Sequence, residues 1–468
     1  MKLKNLLVFT LSLSVTLSVH TSSAQTQIWG TSQNGGANSQ GSIWMADGNG
    51  NNIQTVYSLV NATGAMPLGN MVLAGNHKLY GVTELGGCND SCVCYNYDPN
   101  TGIFTDFWDL DCNQQFGYGT RSGMIAATDG KLYGVNPAGG TAGYGVIYSV
   151  DPVTDTYTDI YDIGFTNGHY PLGMLVQLPN GLLYGMTNYG GTNNLGTLFS
   201  YDIVNNIYTD LHQFDFPTGG GPLYGGLIQA TDGKLYGMTF HGGADSLGVI
   251  FSFDLSNNTY TDVYNFDGVH GDAPEGGLIQ ASNGLLYGMT NDGGIDTLGV
   301  LFSFDISTHI YTDLVDFDGV LHGASPTRDL AQTTNGKLFG TTLNGGLFNM
   351  GIAFSYDILT NTLTKLIDFD ATIGRNPDCS MIETPVLVLG QNVITNKSPL
   401  QIFPNPAQNI ISISGEVSQT IDFIDVLGQR LTSLKINSSE ITTIDISNFP
   451  NIFFVKTSNE IKKIIRVK

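Results

Sequence analysis

The sequence predicts an all-β chain: a seven-bladed β-propeller closed by strand exchange between its termini, plus a small C-terminal β-sandwich. Three observations carry that expectation. An aromatic–glycine pair recurs at Trp29-Gly30, Tyr80-Gly81, Tyr133-Gly134, Tyr184-Gly185, Tyr236-Gly237, Tyr287-Gly288 and Phe339-Gly340, at spacings of 51, 53, 51, 52, 51 and 52 residues. Each full unit, such as Pro274 to Asp318, holds four short β-type runs separated by turn-rich joints, the content of one propeller blade. The third observation is an offset. A Pro-x-Gly-x-Leu-Ile run opens units at Pro67, Thr120 (a substitution), Pro171, Pro222, Pro274, Pro326 and Pro377, and none precedes Trp29. The run at Pro377 is therefore orphaned. Near Met381 to Val388 it would pair with the N-terminal strands of Ile28 to Val60 and close a ring, whereas an open solenoid would want capping repeats.

The chain begins with Lys2 and Lys4, an apolar run from Leu6 to Val19, and Ser22-Ser23-Ala24 before Gln25. That order is expected of a secretory signal peptide over residues 1–24. The apolar run is shorter than the ~20 residues needed to span a bilayer, and no later segment comes closer.

Residues 25–389 are expected to form the propeller. Sixty glycines, 22 tyrosines and 24 phenylalanines in 468 residues, with 12% charged residues, favour strands and tight turns over disorder. TDG, SNG, PNG and TNG sequences between the first and second runs supply positive-φ hairpin turns. Runs such as GVLFSFD close each third strand with an Asp, at 47, 98, 151, 202, 254, 305 and 357, and Asn/Thr-rich residues follow. The longer glycine-rich joints, after the second and fourth strands, emerge on one rim, the natural place for a site.

Net charge is −22, and the acids are concentrated in the repeats: Gln25 to Pro399 holds 34 Asp+Glu against 9 Lys+Arg. Such a surface repels nucleic acid and anionic lipid, and leaves cations or neutral glycans as ligands.

A polar linker over residues 390–399 leads to residues 400–468, where alternating apolar runs predict the β-sandwich.

Two resemblances follow from these motifs. DGKLYG…GG…GVIFSFDLSNNTYTDV follows the kelch order of strands, with Tyr208, Tyr260 and Tyr311 where kelch repeats usually carry Trp. The wording P-x-G-G-L-I-Q-A-x-D-G-x-L-Y-G-M-T is more similar to the GloVer-type tandem repeats of bacterial exported proteins, over Ile28 to about Val388. That family implies a fold and surface display without implying a reaction. The C-terminal segment resembles the type A sorting domain of the type IX secretion system, through Phe403-Pro404-Asn405-Pro406-Ala407, Asp425-Val426-Leu427-Gly428-Gln429 and the basic Lys462-Lys463. Asn451 stands where that family commonly has Gly. The resemblance implies a Gram-negative bacterium, passage through its outer membrane by the type IX machinery, removal of this domain, and attachment to the outer surface or release.

Few residues invite a chemical reading. In an exported chain, Cys88, Cys92, Cys94 and Cys112 are expected to form one or two disulfides, with Cys379 the odd thiol. Their C-x3-C-x-C spacing without a nearby His is poor for zinc. Asp47-Gly-Asn49-Gly-Asn51 has the alternating oxygens of a calcium loop, but Ser58 stands where the twelfth ligand of an EF-hand belongs, and the hairpin-turn reading is the simpler one. His169, His241, His270 and His322, with Asp272, Asp292 and Arg328, are expected to face one rim and could form a cation or glycan site; long solvated loops are the rival explanation. No GxSxG, HExxH or P-loop pattern occurs, so the sequence names no catalytic residue.

The expectation is an exported, surface-attached or released binding or adhesion module, for glycan or another surface protein. The alternative is a propeller enzyme acting on polysaccharide, a glycosidase or lyase. A non-repeated cluster of acids, His and Arg would favour the enzyme, and an even ring of equivalent residues would favour binding.

Overall fold

The computed structural model describes residues 26–87, 90, 92–109 and 121–386, and most strands and turns between 401 and 465. The chain divides into two compact units, Met1–Val386 and Leu387–Lys468. The signal-peptide and linker expectations lie outside the described residues.

The first unit contains, among the described residues, seven four-stranded antiparallel sheets and no α-helix. The first sheet is made of Ile382–Pro385, Thr26–Ser32, Ser42–Asp47 and Gln54–Ser58, in that order. The other six are each built from consecutive strands: Ala65–Leu73 to Ile103–Asp109, Ile125–Ala126 to Thr156–Asp162, Val176–Gln177 to Ile207–Gln213, Ile228–Gln229 to Thr259–Asn265, Ile279–Gln280 to Ile310–Asp316, and Ala331–Gln332 to Thr362–Asp368. The orphaned run is thus paired: Thr26 faces Pro385 and Trp29 faces Ile382, and the Trp29 indole N–H donates to Thr384 Oγ1 at 2.9 Å.

The aromatic–glycine landmark has a steric cause. In the second strand of each sheet the glycine sits opposite an aromatic residue of the third strand, whose ring lies across it. A Cβ on Gly185 would come within 2.6 Å of the Phe199 ring, and one on Gly81 within 2.4 Å of the Tyr95 hydroxyl. These rings, with the second-strand tyrosines and third-strand aliphatics, form buried clusters bridging successive sheets. The Tyr184 and Tyr287 hydroxyls reach the Asn180 and Asn283 side chains of their own hairpins, both at 2.8 Å.

The first strands lie side by side so closely that glycine is required. An added Cβ on Gly173 would meet Gly225 O at 2.3 Å, and one on Gly225 would meet Gly276 O at 2.3 Å. Farther round, side chains link these strands: the Gly277 N–H donates to Asp329 Oδ1, Asp329 N–H to Ser380 Oγ (3.0 Å) and Ser380 N–H to Asn70 Oδ1 (2.7 Å). A second set of links joins hairpin turns to the next first strand: Thr231 N–H donates to Gln280 Oε1, Ser282 N–H to Gln332 Oε1 and Thr334 N–H to Glu383 Oε2. The last of these ties the seventh sheet to the first.

The second unit has a three-stranded sheet (Gln401–Phe403, Ile410–Ser414, Thr442–Asp445) and a four-stranded one (Arg430–Ile436, Gln419–Ile424, Ile452–Lys456, Ile461–Ile465), all antiparallel. Ile421, Phe423, Ile446, Val455 and Ile464 are buried. Lys462 and Lys463 lie on its last strand, while Pro404, Asn405, Pro406 and Gly428 fall outside the described residues.

Candidate functional site

The repeat is least regular at the start of its first strands. Where the pattern reads Pro-x-Gly-Gly-Leu, the residue three before the Leu or Met is Leu68, Arg121, Leu172, Tyr224, Glu275, Thr327 and Asp378 in turn. The next position is occupied by small residues except at Arg328. Because the strands nearly touch here, these substitutions are brought together.

Arg328 is buried, with 5% of its surface exposed. Its Nε and Nη2 grip the Asp378 carboxylate (Nη2–Oδ2 2.9 Å), its Nη1 donates to Arg121 O at 2.9 Å, and its guanidinium lies 4.2 Å from the centre of the Tyr224 ring. Thr327 Oγ1 donates to Asp378 as well, at 2.7 Å. Burial alone would raise the Asp378 pKa, but the adjacent guanidinium outweighs it and holds the carboxyl below its ordinary range. Arg121, nearer solvent with 43% of its side chain exposed, donates from Nη1 to the Tyr224 hydroxyl (3.1 Å) and from Nη2 to Glu84 Oε1 (2.8 Å).

Glu275 is different. It is half-buried and has no hydrogen bond or ion pair to any described residue. Burial pushes its carboxyl up to about 7; Arg328 opposes the shift, and Asp378 and Asp292 add to it. A carboxyl in that range can give or take a proton near neutrality.

Outside this cluster, loops before the first strand pair with loops after the second, at equivalent places in successive sheets. His169 exchanges backbone hydrogen bonds with Tyr189 (2.7 and 3.0 Å), Gly220 with His241 (2.8 and 3.0 Å) and Asp272 with Asp292 (2.9 and 3.2 Å). Burial and the nearby Asp292 raise the Asp272 carboxyl; burial lowers the His241 imidazole despite Asp272. The structure thus brings Asp272 into electrostatic reach of both Asp292 and His241, and Glu275 into that of Asp292 and Arg328. The other three histidines are engaged locally. His169 lies among the rings of Tyr144, Phe165, Tyr170 and Tyr189. His270 pairs with Asp267 at 2.8 Å and His322 with Asp318 at 3.3 Å, each within its own loop.

Glu84, Arg121, Tyr224, Glu275 and Asp378 were not singled out by sequence reasoning; the last four share one variable column of the repeat, which is their signal, and Glu84 stands outside it on the strand Leu79–Leu85. Asp47 spends its carboxylate on its own turn, accepting from Asn49 N–H (3.0 Å), Asn51 N–H (2.9 Å) and Asn52 Nδ2 (3.0 Å). No group of three or more His, Cys, Asp or Glu among the described residues is arranged to hold a metal ion.

Among the cysteines, Cys94 carries a free, buried thiol and so takes no part in the expected bridges here; burial pushes its pKa up. Cys92 is buried and its thiol donates to Glu84 O at 3.3 Å. Cys88 and Cys112 lie outside the described residues. Cys379, also a buried thiol, is raised by burial to about 11.

Comparison with solved structures returns β-rich proteins. A candidate 6-phosphogluconolactonase from Bacteroides fragilis aligns at 14% identity and TM-score 0.53, covering 78% of this chain and 99% of that one. Its counterpart from Bacteroides uniformis aligns at 14% and 0.52, covering 77% and 99%. PorZ, a surface component of the type IX secretion system of Porphyromonas gingivalis, aligns at 12% and 0.47 over 92% of this chain; the chain spans 63% of the length of PorZ. These likenesses concern the fold. No curated protein matches the chain. No helix among the described residues is long and apolar enough to cross a membrane.

Residues 401–467 match the secretion system C-terminal sorting domain, which implies the type IX machinery and a secreted or cell-surface protein of Bacteroidetes-type bacteria. Residues 17–231 and 208–396 match the Gloeobacter/Verrucomicrobia repeat, and the chain belongs to that repeat family.

Proposed function

We propose that this is an exported seven-bladed propeller that binds glycan where its innermost strands meet. Seven sheets and the pairing of Ile382–Pro385 with Thr26–Ser32 support a closed ring. In this reading residues 25–389 are the ring, residues 1–24 are a cleaved signal peptide, residues 390–399 are a linker, and residues 400–468 are removed after export. Limited proteolysis with mass spectrometry tests the division: a resistant core ending near Pro385 is expected, and cleavage within the repeats before the tail is lost would overturn it.

That the set Arg121, Tyr224, Glu275 and Arg328 is not repeated would by itself favour the enzyme; the observation that carries the binding reading is how the set is paired, Arg121 with Glu84 and Arg328 with Asp378. The set offers guanidinium N–H and phenolic O–H donors beside carboxylate acceptors, as sugar hydroxyls require. At the Arg328 position the other units carry small residues, and at the position shared by Arg121, Tyr224 and Glu275 two units carry Leu, so the polar set is not what the repeat itself calls for. The test incubates the full-length protein with a panel of polysaccharides and scores both retention and cleavage. Retention is expected, and Arg121→Ala is expected to abolish it with the melting temperature preserved. Retention unchanged by that substitution would overturn the assignment.

One observation favours the alternative, an enzyme acting on polysaccharide. Glu275, without a hydrogen-bond or ion-pair partner among the described residues and raised to about 7, is suited to acid–base chemistry. Cleavage abolished by Glu275→Gln, with retention intact, would establish it.

A further inference from the structure

We infer that the site selects uncharged sugars and turns away uronate- or sulfate-bearing chains, because both guanidiniums at its centre are already neutralised by the protein's own carboxylates. The inference rests on the glycan reading above and adds the charge of the ligand.

Arg328 is committed to Asp378 through two hydrogen bonds and to the backbone of Arg121 through a third. Arg121, the guanidinium nearer solvent, is matched by Glu84. Cation and anion therefore cancel pairwise, and Glu275, Asp272 and Asp292 are carboxyls left over. The Glu275 and Asp272 carboxyls are both raised by burial first; Asp292 adds to each, and at Glu275 Arg328 opposes the shift while Asp378 adds to it. Around the site the repeats carry 34 acids against 9 bases. An incoming carboxylate or sulfate would have to displace Glu84 from Arg121 and do so against that surplus. A sugar hydroxyl faces no such barrier. It can accept from the Arg121 N–H groups that Glu84 and Tyr224 leave unspent, and donate to Glu275.

The test compares binding of the full-length protein to a neutral galactomannan, to polygalacturonate and to fully methyl-esterified polygalacturonate, at low and high salt. Neutral and esterified chains should be retained with less than about a twofold change across the salt range, since no net ionic contact is made. The free acid should bind at least about tenfold more weakly. Glu84→Gln, which frees Arg121, should narrow that gap. Binding of the free acid as tight as that of its ester, or binding to neutral chains that weakens with salt, overturns the inference and leaves the glycan reading standing. Retention of none of a wider polysaccharide panel overturns both.

Discussion

Replacing Arg328 with Met would leave the Asp378 carboxylate buried with only the Thr327 hydroxyl to satisfy it. Replacing Asp378 with Asn would leave a buried guanidinium. Either single change should be costly, because desolvation of the surviving charge is no longer offset: about 3–5 kcal/mol for breaking a buried pair from one side. Loss of the bond to Arg121 O and of the contact with the Tyr224 ring falls within the same range. At the unfolding entropy typical of a unit this size, that is a fall of about 4–7 °C in Tm. The double variant Arg328→Met, Asp378→Leu removes both charges and should recover most of the loss, with a coupling of about 2 kcal/mol or more. Tryptophan fluorescence suits the measurement, since all three tryptophans, Trp29, Trp44 and Trp108, lie in the repeat unit and none in the C-terminal one. The loss should persist at high salt, which screens exposed pairs and spares buried ones. A single variant melting within about 1 °C of the parent would refute the reasoning.

Three further outcomes are expected. Gly225→Ala places a methyl 2.3 Å from Gly276 O and should cost about 1–3 kcal/mol, whereas Gly75→Ala, with open space around it, should be neutral or stabilise by up to about 1 kcal/mol; denaturant titration distinguishes them. Glu275 is held at about 7 against an ordinary 4.5, so the folded state binds its proton more tightly than the unfolded chain. Its contribution is therefore fully present below about 4.5 and lost as pH rises to about 7, some 2–4 kcal/mol, and Glu275→Gln should flatten that decline in a stability–pH profile. His212 stacks on Tyr260 at 4.1 Å with its Nε2 buried and unbonded, at a position held by Tyr161 and Tyr264 in neighbouring sheets; His212→Tyr should stabilise by about 0.5–1 kcal/mol, most below the imidazole pKa, where protonation of the buried ring opposes folding.

The sheets were legible in the sequence because each sheet repeats the same steric solution, so Tyr-Gly and the closing Asp recur at nearly constant spacing. Even the orphaned strand at Pro377 could be read, from one missing partner at the start. The site was not legible in the same way, since what defines it is the failure of the repeat. Arg328 attracted notice as a rare cation, but Glu275 and Tyr224 look unremarkable until the first strands are known to touch. The histidines illustrate the converse. His270 and His322 share a place in the repeat, yet Asp267 and Asp318 lie within four residues and each turn closes on its own pair. Short-range contacts of that kind leave no mark on spacing.

The bond from Trp29 to Thr384 spans 355 residues of sequence. The strand Thr26–Ser32 is thus among the first to be made and the last to be fully covered. While the rest of the repeats are being synthesised, one of its edges presents backbone N–H and C=O groups with no neighbour to pair with, beside the apolar Ile28 and Trp29. Its completion waits on residues up to Pro385, so the slow, non-local step of folding falls at the end of the repeats, where loop closure is most demanding. A product truncated within the repeats would carry an open seam, ready to pair with the next such chain it meets.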